Sequence, residues 1–271
     1  MAAPSPEVRI SHLPGGRVRE LLKDNPVILL PMGSHEDQGP HFPMGDYLLP
    51  ERIAQLAATH AQQRGTPCFV MPVMPYGGDD YFRTALGGAV LSPATMEAVL
   101  GDIVGSLLDN GLTRIVMLNG HSGNVAPILN TIREVRRSRG IAVPSLYLWE
   151  AAFAMLPDIL GPEEAASRAG HGADPLGSVG LHLMPELIDR SLMPDPRPIH
   201  ADPILGLPSV NLGRVRVKDV EVTLWTDYAE IYNEGTSGGD PRRCDARTGA
   251  AITDRLVETV VELARLLTEK T

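Results

Sequence analysis

Short apolar runs alternate with amphipathic helical patterns over the first 150 residues, and this alternation constrains the fold more than any other feature of the chain. The runs are "PVILLPM" near 26–32, "PCFVMPVMPY" near 67–76, "RIVMLNG" near 114–120 and "AVPSLYLWE" near 142–150. Each is short, continuous and bounded by turn residues, the signature of a strand buried on both faces. Between them lie "LLPERIAQLAATHAQQRG", "SPATMEAVLGDIVGSLLDNG" and "VAPILNTIREVRRSRG", with apolar residues three and four apart. Ser92 followed by Pro93 supplies an N-cap and a first helical residue, while Gly111 and Gly140 stop two helices. Strand and helix in strict alternation imply parallel strands joined by crossover helices, an α/β sandwich.

From about 160 to 245 the chain is richer in Gly and Pro and less periodic. "ASRAGHGADPLGSVGLHLMPELIDRS" reads as a loop entering a helix, and "RVRVKDVEVTLWTDY" as a strand or hairpin edge. A long amphipathic helix, "RTGAAITDRLVETVVELARLLTEK", follows. With no internal repeat and no low-complexity linker, 1–271 reads as a single domain, and 43% apolar residues are ample for its core. The formal charge of −9 argues against a nucleic-acid surface, and the basic cluster "REVRRSRG" ends a helix, where cations are ordinary. Cys68 and Cys244 are far apart and outside any C-x-x-C spacing, which argues against a disulfide framework or a thiolate zinc site. The N-terminus lacks the apolar core of a signal peptide and no segment is long enough to span a bilayer, so a soluble, cytoplasmic protein without membrane partners is expected.

Ligands of open parallel sheets collect outside the carboxyl ends of the strands. The polar residues of this chain fall there: "GSHEDQGPHFPMGD" after the first strand, "YGGDDYFR" after the second, "NGHSGN" after the third, and Trp149 with Glu150 after the fourth. A later loop adds "GHGADP". Three clusters stand out: Glu36, Asp37, Gln38, His41 and Asp46 in the first loop, His121 in the "NGHSGN" turn, and His171 with Asp174. Carboxylates mixed with imidazoles suit zinc or manganese, and a bound divalent ion makes hydroxide available near neutral pH, so metal-assisted hydrolysis is the leading idea. Each residue also has an ordinary structural role open to it: Asp46 as the N-cap of a helix starting near Tyr47, Asn119 and Asn124 as turn residues, Asp79 and Asp80 as solvated charges.

Taken together, these segments resemble the creatininase family of metal-dependent amidohydrolases. The family's first loop reads roughly G-x-x-E-Q-H-G-P-H-L-P with an Asp soon after, and its middle signature N-G-H-G-G-N is similar to "NGHSGN". Its H-A-G-E-x-E-T-S segment is similar to "HGADPLGS", and its G-D-P-x-x-A-x-x-x-x-G to "GDPRRCDARTG". The resemblance implies a three-layer α/β sandwich with a mainly parallel central sheet flanked by helices. It also implies a homo-oligomer, commonly a hexamer, that hydrolyses a cyclic amide or another C–N bond of a small-molecule substrate with two divalent ions. By the same resemblance Glu36 is a glutamate ligand, Asp46 a bridging aspartate, His121 a histidine ligand and His171 the proton shuttle, with Glu36 counted beside His171 as catalytic. His41 matches a nearby loop histidine, while Asn119, Ser122, Asn124 and Trp149 are carried as substrate-contacting candidates.

The chain departs from the family at three residues and in the spacing from Glu36 to Asp46, which is shorter than usual by a single residue. Gln38 stands where a ligand His is usual, Leu176 where the Glu of E-T-S is usual, and Gly123 where creatininase has a ligand Glu. All three bear on one metal position, whereas Glu36, Asp46 and His121 retain the other. The expectation is one well-formed divalent ion, zinc or manganese, with a second possible only if the site is rebuilt. Asp174 is the rebuilding candidate, and Gln38 a second-site or substrate-orienting group. Three alternatives are a ring-opening reaction at a non-amide bond, a catalytically silent scaffold subunit, and a nucleotide-binding protein. The last ranks lowest because neither G-x-G-x-x-G nor a P-loop occurs. Trp149 and Trp225 are left open as site-lining or core.

Overall fold

A computed structural model describes residues 7–79, 81–196, 205–211, 213–225 and 236–269. The elements in order are α1 (Gly15–Leu22), β1 (Val27–Met32), α2 (Leu48–Gln63), β2 (Cys68–Val70), α3 (Pro93–Asp109), β3 (Ile115–Asn119), α4 (Val125–Arg139) and β4 (Ser145–Tyr147). They continue with α5 (Leu148–Leu160), α6 (Pro162–Arg168), β5 (Gly170–His171), α7 (Leu176–Leu183), β6 (Ser209–Asn211), β7 (Arg214–Val217), β8 (Val220–Thr223), β9 (Ser237–Gly238) and α8 (Ala246–Glu269).

The central sheet has strand order β2-β1-β3-β4 and is parallel throughout, with Val27 opposite Cys68, Ile28 opposite Ile115 and Met117 opposite Ser145. Its inner strands are wholly buried because side chains alternate between two cores. Val27, Leu29, Val116 and Leu118 face a core built from α2, α5, α7 and α8, including Ile53, Leu156, Val179 and Leu256. Ile28, Leu30, Ile115 and Met117 face the other, with Met96 and Leu100 of α3 and Ile128 of α4. This is the expected three-layer sandwich. The chain passes from β1 outward to β2 and then back across to β3, so the order reverses between β1 and β3. Such a switch point leaves a crevice at the strands' carboxyl ends, where the polar loops after β1 and β3 emerge.

Local chemistry sets the boundaries. Ser92 caps α3 by accepting from Thr95 N–H, and Gly140 ends α4 in the left-handed region at φ 73°. The second apolar run forms ladder only at residues 68–70, because Pro72 and Pro75 lack the N–H that would continue it. The fourth run is strand only to Tyr147, and Leu148, Trp149 and Glu150 already belong to α5. A hairpin of β7 and β8 stands where a strand or hairpin edge is expected, and α8 packs its apolar stripe into the first core. No described helix is long and apolar enough to cross a membrane.

Candidate metal centre

The loop after β1 carries Glu36 and Asp46, and the turn after β3 carries His121; their ligand atoms lie within 4.8 Å of one another and all three residues are buried. Among the described residues this is the one such group of His, Cys, Asp or Glu side chains. His121 Nδ1 is 2.7 Å from Glu36 Oε2 and 3.3 Å from Asp46 Oδ2. On the far side of the ring, Nε2 donates to the Gly78 carbonyl at 2.9 Å. A carbonyl only accepts, so Nε2 holds the proton and the Nδ1 lone pair faces two carboxylates. That arrangement needs a cation, a proton or a metal ion. The donors lie within 4.8 Å of one another, and a set of one imidazole and two carboxylates suits zinc or manganese.

The backbone is arranged around this triad. Ser34 N–H donates to Asp46 Oδ1 at 2.6 Å, so the Asp46 carboxylate is oriented across the loop instead of capping α2, which has no side-chain cap. Asn119 Oδ1 accepts from His121 N–H at 3.0 Å and its Nδ2 donates to His121 O at 2.7 Å. Asn124 ties the turn to its neighbours, donating to Gly33 O and accepting from Gly78 N–H. Gly123 is required by close approach: a Cβ there would sit 2.3 Å from Gly78 O and 2.7 Å from His121 Nε2. The departure at Gly123 therefore follows from the packing of the carbonyl that orients His121.

A cavity of about 120 Å³ opens beside the triad. Gln38, Tyr81, Phe82, Ser122, Trp149 and His171 contribute to its wall, as does Leu176 where the family Glu is missing. His171 stacks on Phe82 with ring centroids 4.4 Å apart, and its Nε2 donates to the Asp37 carbonyl at 2.9 Å. Gly172 turns the chain after it at φ 73°, a conformation that favours glycine. Gln38 Nε2 donates to Glu36 Oε1 at 2.6 Å.

Four candidates are placed elsewhere. Asp174 does not line the cavity: its carboxylate pairs with Arg168 Nε at 2.6 Å and accepts from Ser178 N–H, partners that direct it away from the group of Glu36, Asp46 and His121. His41, the loop histidine matched to the family, is buried off the cavity, where desolvation pulls its imidazole below the usual range against the opposing pull of the Gly172 carbonyl and Asp37. Asn119 and Asn124, expected as substrate contacts, shape the His121 turn and are not among the residues that line the cavity. Asp79 pairs with Arg83 at 2.8 Å, and Asp80 lies outside the described residues. Trp149 lines the cavity, whereas Trp225 is 64% exposed and stacks on Tyr81 at 4.9 Å. Sequence reasoning missed Tyr81, Phe82, Tyr147 and Phe153 as wall residues and the Gly78 carbonyl as the anchor of His121; only the position of "YGGDDYFR" after a strand hinted at the first two and at Gly78.

Known proteins resemble this chain in sequence and in fold. The Creatininase family, described as creatinine amidohydrolase, matches residues 11–264. Among curated relatives, the mycofactocin precursor peptide peptidase of Mycobacterium ulcerans (strain Agy99) is 27% identical over 168 residues, 60% of this chain and 60% of that protein. The creatinine amidohydrolase of Pseudomonas putida is 29% identical over 191 residues, 64% of this chain and 70% of that protein. The 3-dehydro-scyllo-inosose hydrolase of Thermotoga maritima is 31% identical over 109 residues, 39% of this chain and 33% of that protein. The match to the mycobacterial peptidase thus spans about three fifths of its length. A crystal structure of creatinine amidohydrolase (creatininase) superimposes with a TM-score of 0.75 at 23% identity, covering 98% of this chain and 100% of that one. A manganese form of creatininase gives 0.73 at 22%, and a mutant creatininase of Zn-Zn type gives 0.74 at 23%, each covering 96% of this chain and 98% of the other. These structures share the fold. With the family matched from residue 11 to residue 264, the chain belongs to the creatinine amidohydrolase family, Creatininase.

Proposed function

We propose that this chain hydrolyses a C–N bond, in a cyclic amide or another amide of a small polar substrate, with one divalent ion, zinc or manganese, held by Glu36, Asp46 and His121. The observation that carries the reading is the convergence of the His121 Nδ1 lone pair with two buried carboxylates while Nε2 is committed to Gly78. When bound, such an ion polarises a carbonyl and lowers the pKa of its water toward neutrality. The chain's own groups do the rest. Gly78 and the Asn119 side chain fix the His121 ring, and Ser34 fixes the Asp46 carboxylate. His171 acts as general acid and base: its Nε2 proton is donated to Asp37 O, so proton exchange belongs to Nδ1. Glu36 acts as a ligand and shares the catalytic role, and Ser122 contacts the substrate from the cavity wall. Residues 1–271 are taken as one domain that assembles as a homo-oligomer, a hexamer by analogy with the family.

Release of amine from a panel of lactams, amides and short peptides tests the reading. Chelator should abolish hydrolysis, and His171→Asn should lower it by about 10²–10⁴ with metal content unchanged. A metal-loaded protein that cleaves no member of the panel, or a fully active His171→Asn, would overturn it. The Thermotoga maritima relative, named as a hydrolase of 3-dehydro-scyllo-inosose, favours a second reading, action at a non-amide bond, so cyclic ketones and lactones belong in the same panel.

A further inference from the structure

Two residues that line the metal cavity, Gln38 and Trp149, each carry a buried side-chain polar atom with no hydrogen-bond partner among the described residues, and the two atoms have opposite polarity. Gln38 is 1% exposed, and its Nε2 donates to Glu36 Oε1 at 2.6 Å. A carboxylate oxygen cannot face an amide oxygen at that distance, so the orientation of the amide is settled by chemistry. Its carbonyl Oε1 is then an acceptor, buried and without a partner. Trp149 is 5% exposed in the first turn of α5, and its Nε1–H, a donor only, is also buried without a partner. The other side chains with such atoms, Ser34, His41, Asp79, Ser237 and Thr253, do not line this cavity, and Glu36 Oε2 faces His121. Native proteins keep few orphaned buried polar groups, because each costs desolvation that nothing offsets until a ligand arrives.

We infer that Gln38 Oε1 and Trp149 Nε1 form a specificity-determining acceptor and donor pair that reads the substrate's own hydrogen-bonding pattern. The inference rests on the proposed hydrolase reading and deepens it by naming the substrate class: a neutral amide that keeps its N–H, such as an unsubstituted lactam. Gln38 accepts from that N–H, and Trp149 donates to a lone pair of the substrate. A cation at this position would attract a lone pair; the Gln38 carbonyl attracts a hydrogen instead. Tertiary amides leave Oε1 unpaired, and a carboxylate at this place is repelled by Oε1 and by Glu36. Sites built to bond an N–H discriminate strongly against analogues that lack it.

The test measures binding of 2-pyrrolidinone and N-methyl-2-pyrrolidinone, which differ only at the N–H, to metal-loaded protein by saturation-transfer NMR titration. Wild type should prefer the N–H lactam by about tenfold or more. Gln38→Met, nearly isosteric, should bring the ratio close to one. Trp149→Phe should weaken both lactams alike and keep the ratio. Gln38→Leu is run in parallel, with far-UV circular dichroism to establish folding. A ratio near one in wild type, a preference that survives in the folded Gln38 variants, or no binding of either lactam overturns the inference. Steric exclusion of the N-methyl group would show as survival in Gln38→Met. Because the readout is binding, it fails or succeeds separately from metal content and hydrolysis, which test the hydrolase reading.

Discussion

Replacing Asp174 with Asn separates a structural carboxylate from a metal ligand. Asp174 is 0% exposed; its Oδ2 accepts from Arg168 Nε at 2.6 Å and its Oδ1 from Ser178 N–H at 3.3 Å. Arg168 is 5% exposed and also pairs with Asp245 at 3.0 Å. An Asn keeps the shape and one acceptor, yet it removes the charge and leaves the buried guanidinium with Asp245, whose side chain is half-exposed, as its main partner. Breaking a buried pair costs about 3–5 kcal/mol, and the remaining Asp245 contact puts this case near about 3 kcal/mol. For a chain of this size that corresponds to roughly 6–12 °C in Tm. Urea unfolding gives the stability and elemental analysis of the same preparation gives the metal. Metal content should be unchanged, because Asp174 lies outside the cluster. A loss under about 1 kcal/mol would refute the energetic reasoning. Lost metal at unchanged stability would return Asp174 to the metal site. A double-mutant cycle with Arg168→Met should show strong coupling, since the two residues share one network.

The histidine off the cavity gives a pH prediction. Burial holds His41 below its ordinary value of 6.5 in the folded chain, so the unfolded chain takes up the proton first. Its stabilising contribution is full above about pH 6.5 and is lost as pH falls, so His41→Gln should flatten the decline of the urea midpoint between about pH 7 and 5; an unchanged slope counts against it. Burial pushes the Cys68 thiol up to about 12 and raises Cys244 as well, with Asp174 adding to the effect. Neither thiol should react with iodoacetamide in the native protein at about pH 8, both should react in urea, and rapid native labelling would contradict the burial. Gly123→Ala should push the Gly78 carbonyl away from His121 and weaken metal binding about 10–100-fold by competitive chelation; an unchanged affinity would show that the contact is slack.

The inner strands were legible because a continuous apolar run between turn signals has few other uses in a chain of this composition. Where β4 gives way to α5 was not, since the apolar run continues through Leu146, Leu148 and Trp149 and Tyr147 offers no capping side chain. Nor did the apolar character of "PCFVMPVMPY" reveal that its prolines confine the ladder to three residues. The triad could be anticipated because its residues sit where two neighbouring strands end and because the loops resemble family segments. The partners of Asp174 are not legible in the sequence, because nearness to His171 along the chain says nothing about direction. Hydrogen bonds from Gly170 N–H to Asp174 O and from Asp174 N–H to Arg168 O fold the loop back and turn the carboxylate toward α6 and α7. Its partners are Arg168 and Ser178, close in sequence, while the distant Asp245 joins the network only through Arg168. The same holds for Gln38, whose amide orientation is decided by Glu36.

The central claim is that Glu36, Asp46 and His121 hold one divalent ion, and it is tested most directly by the metal content per chain of protein purified without chelator, wild type beside His121→Ala. The account predicts about one zinc or manganese ion in wild type and almost none in the variant, with the variant still folded. No metal in wild type, two ions per chain, or a content that His121→Ala leaves unchanged would contradict it.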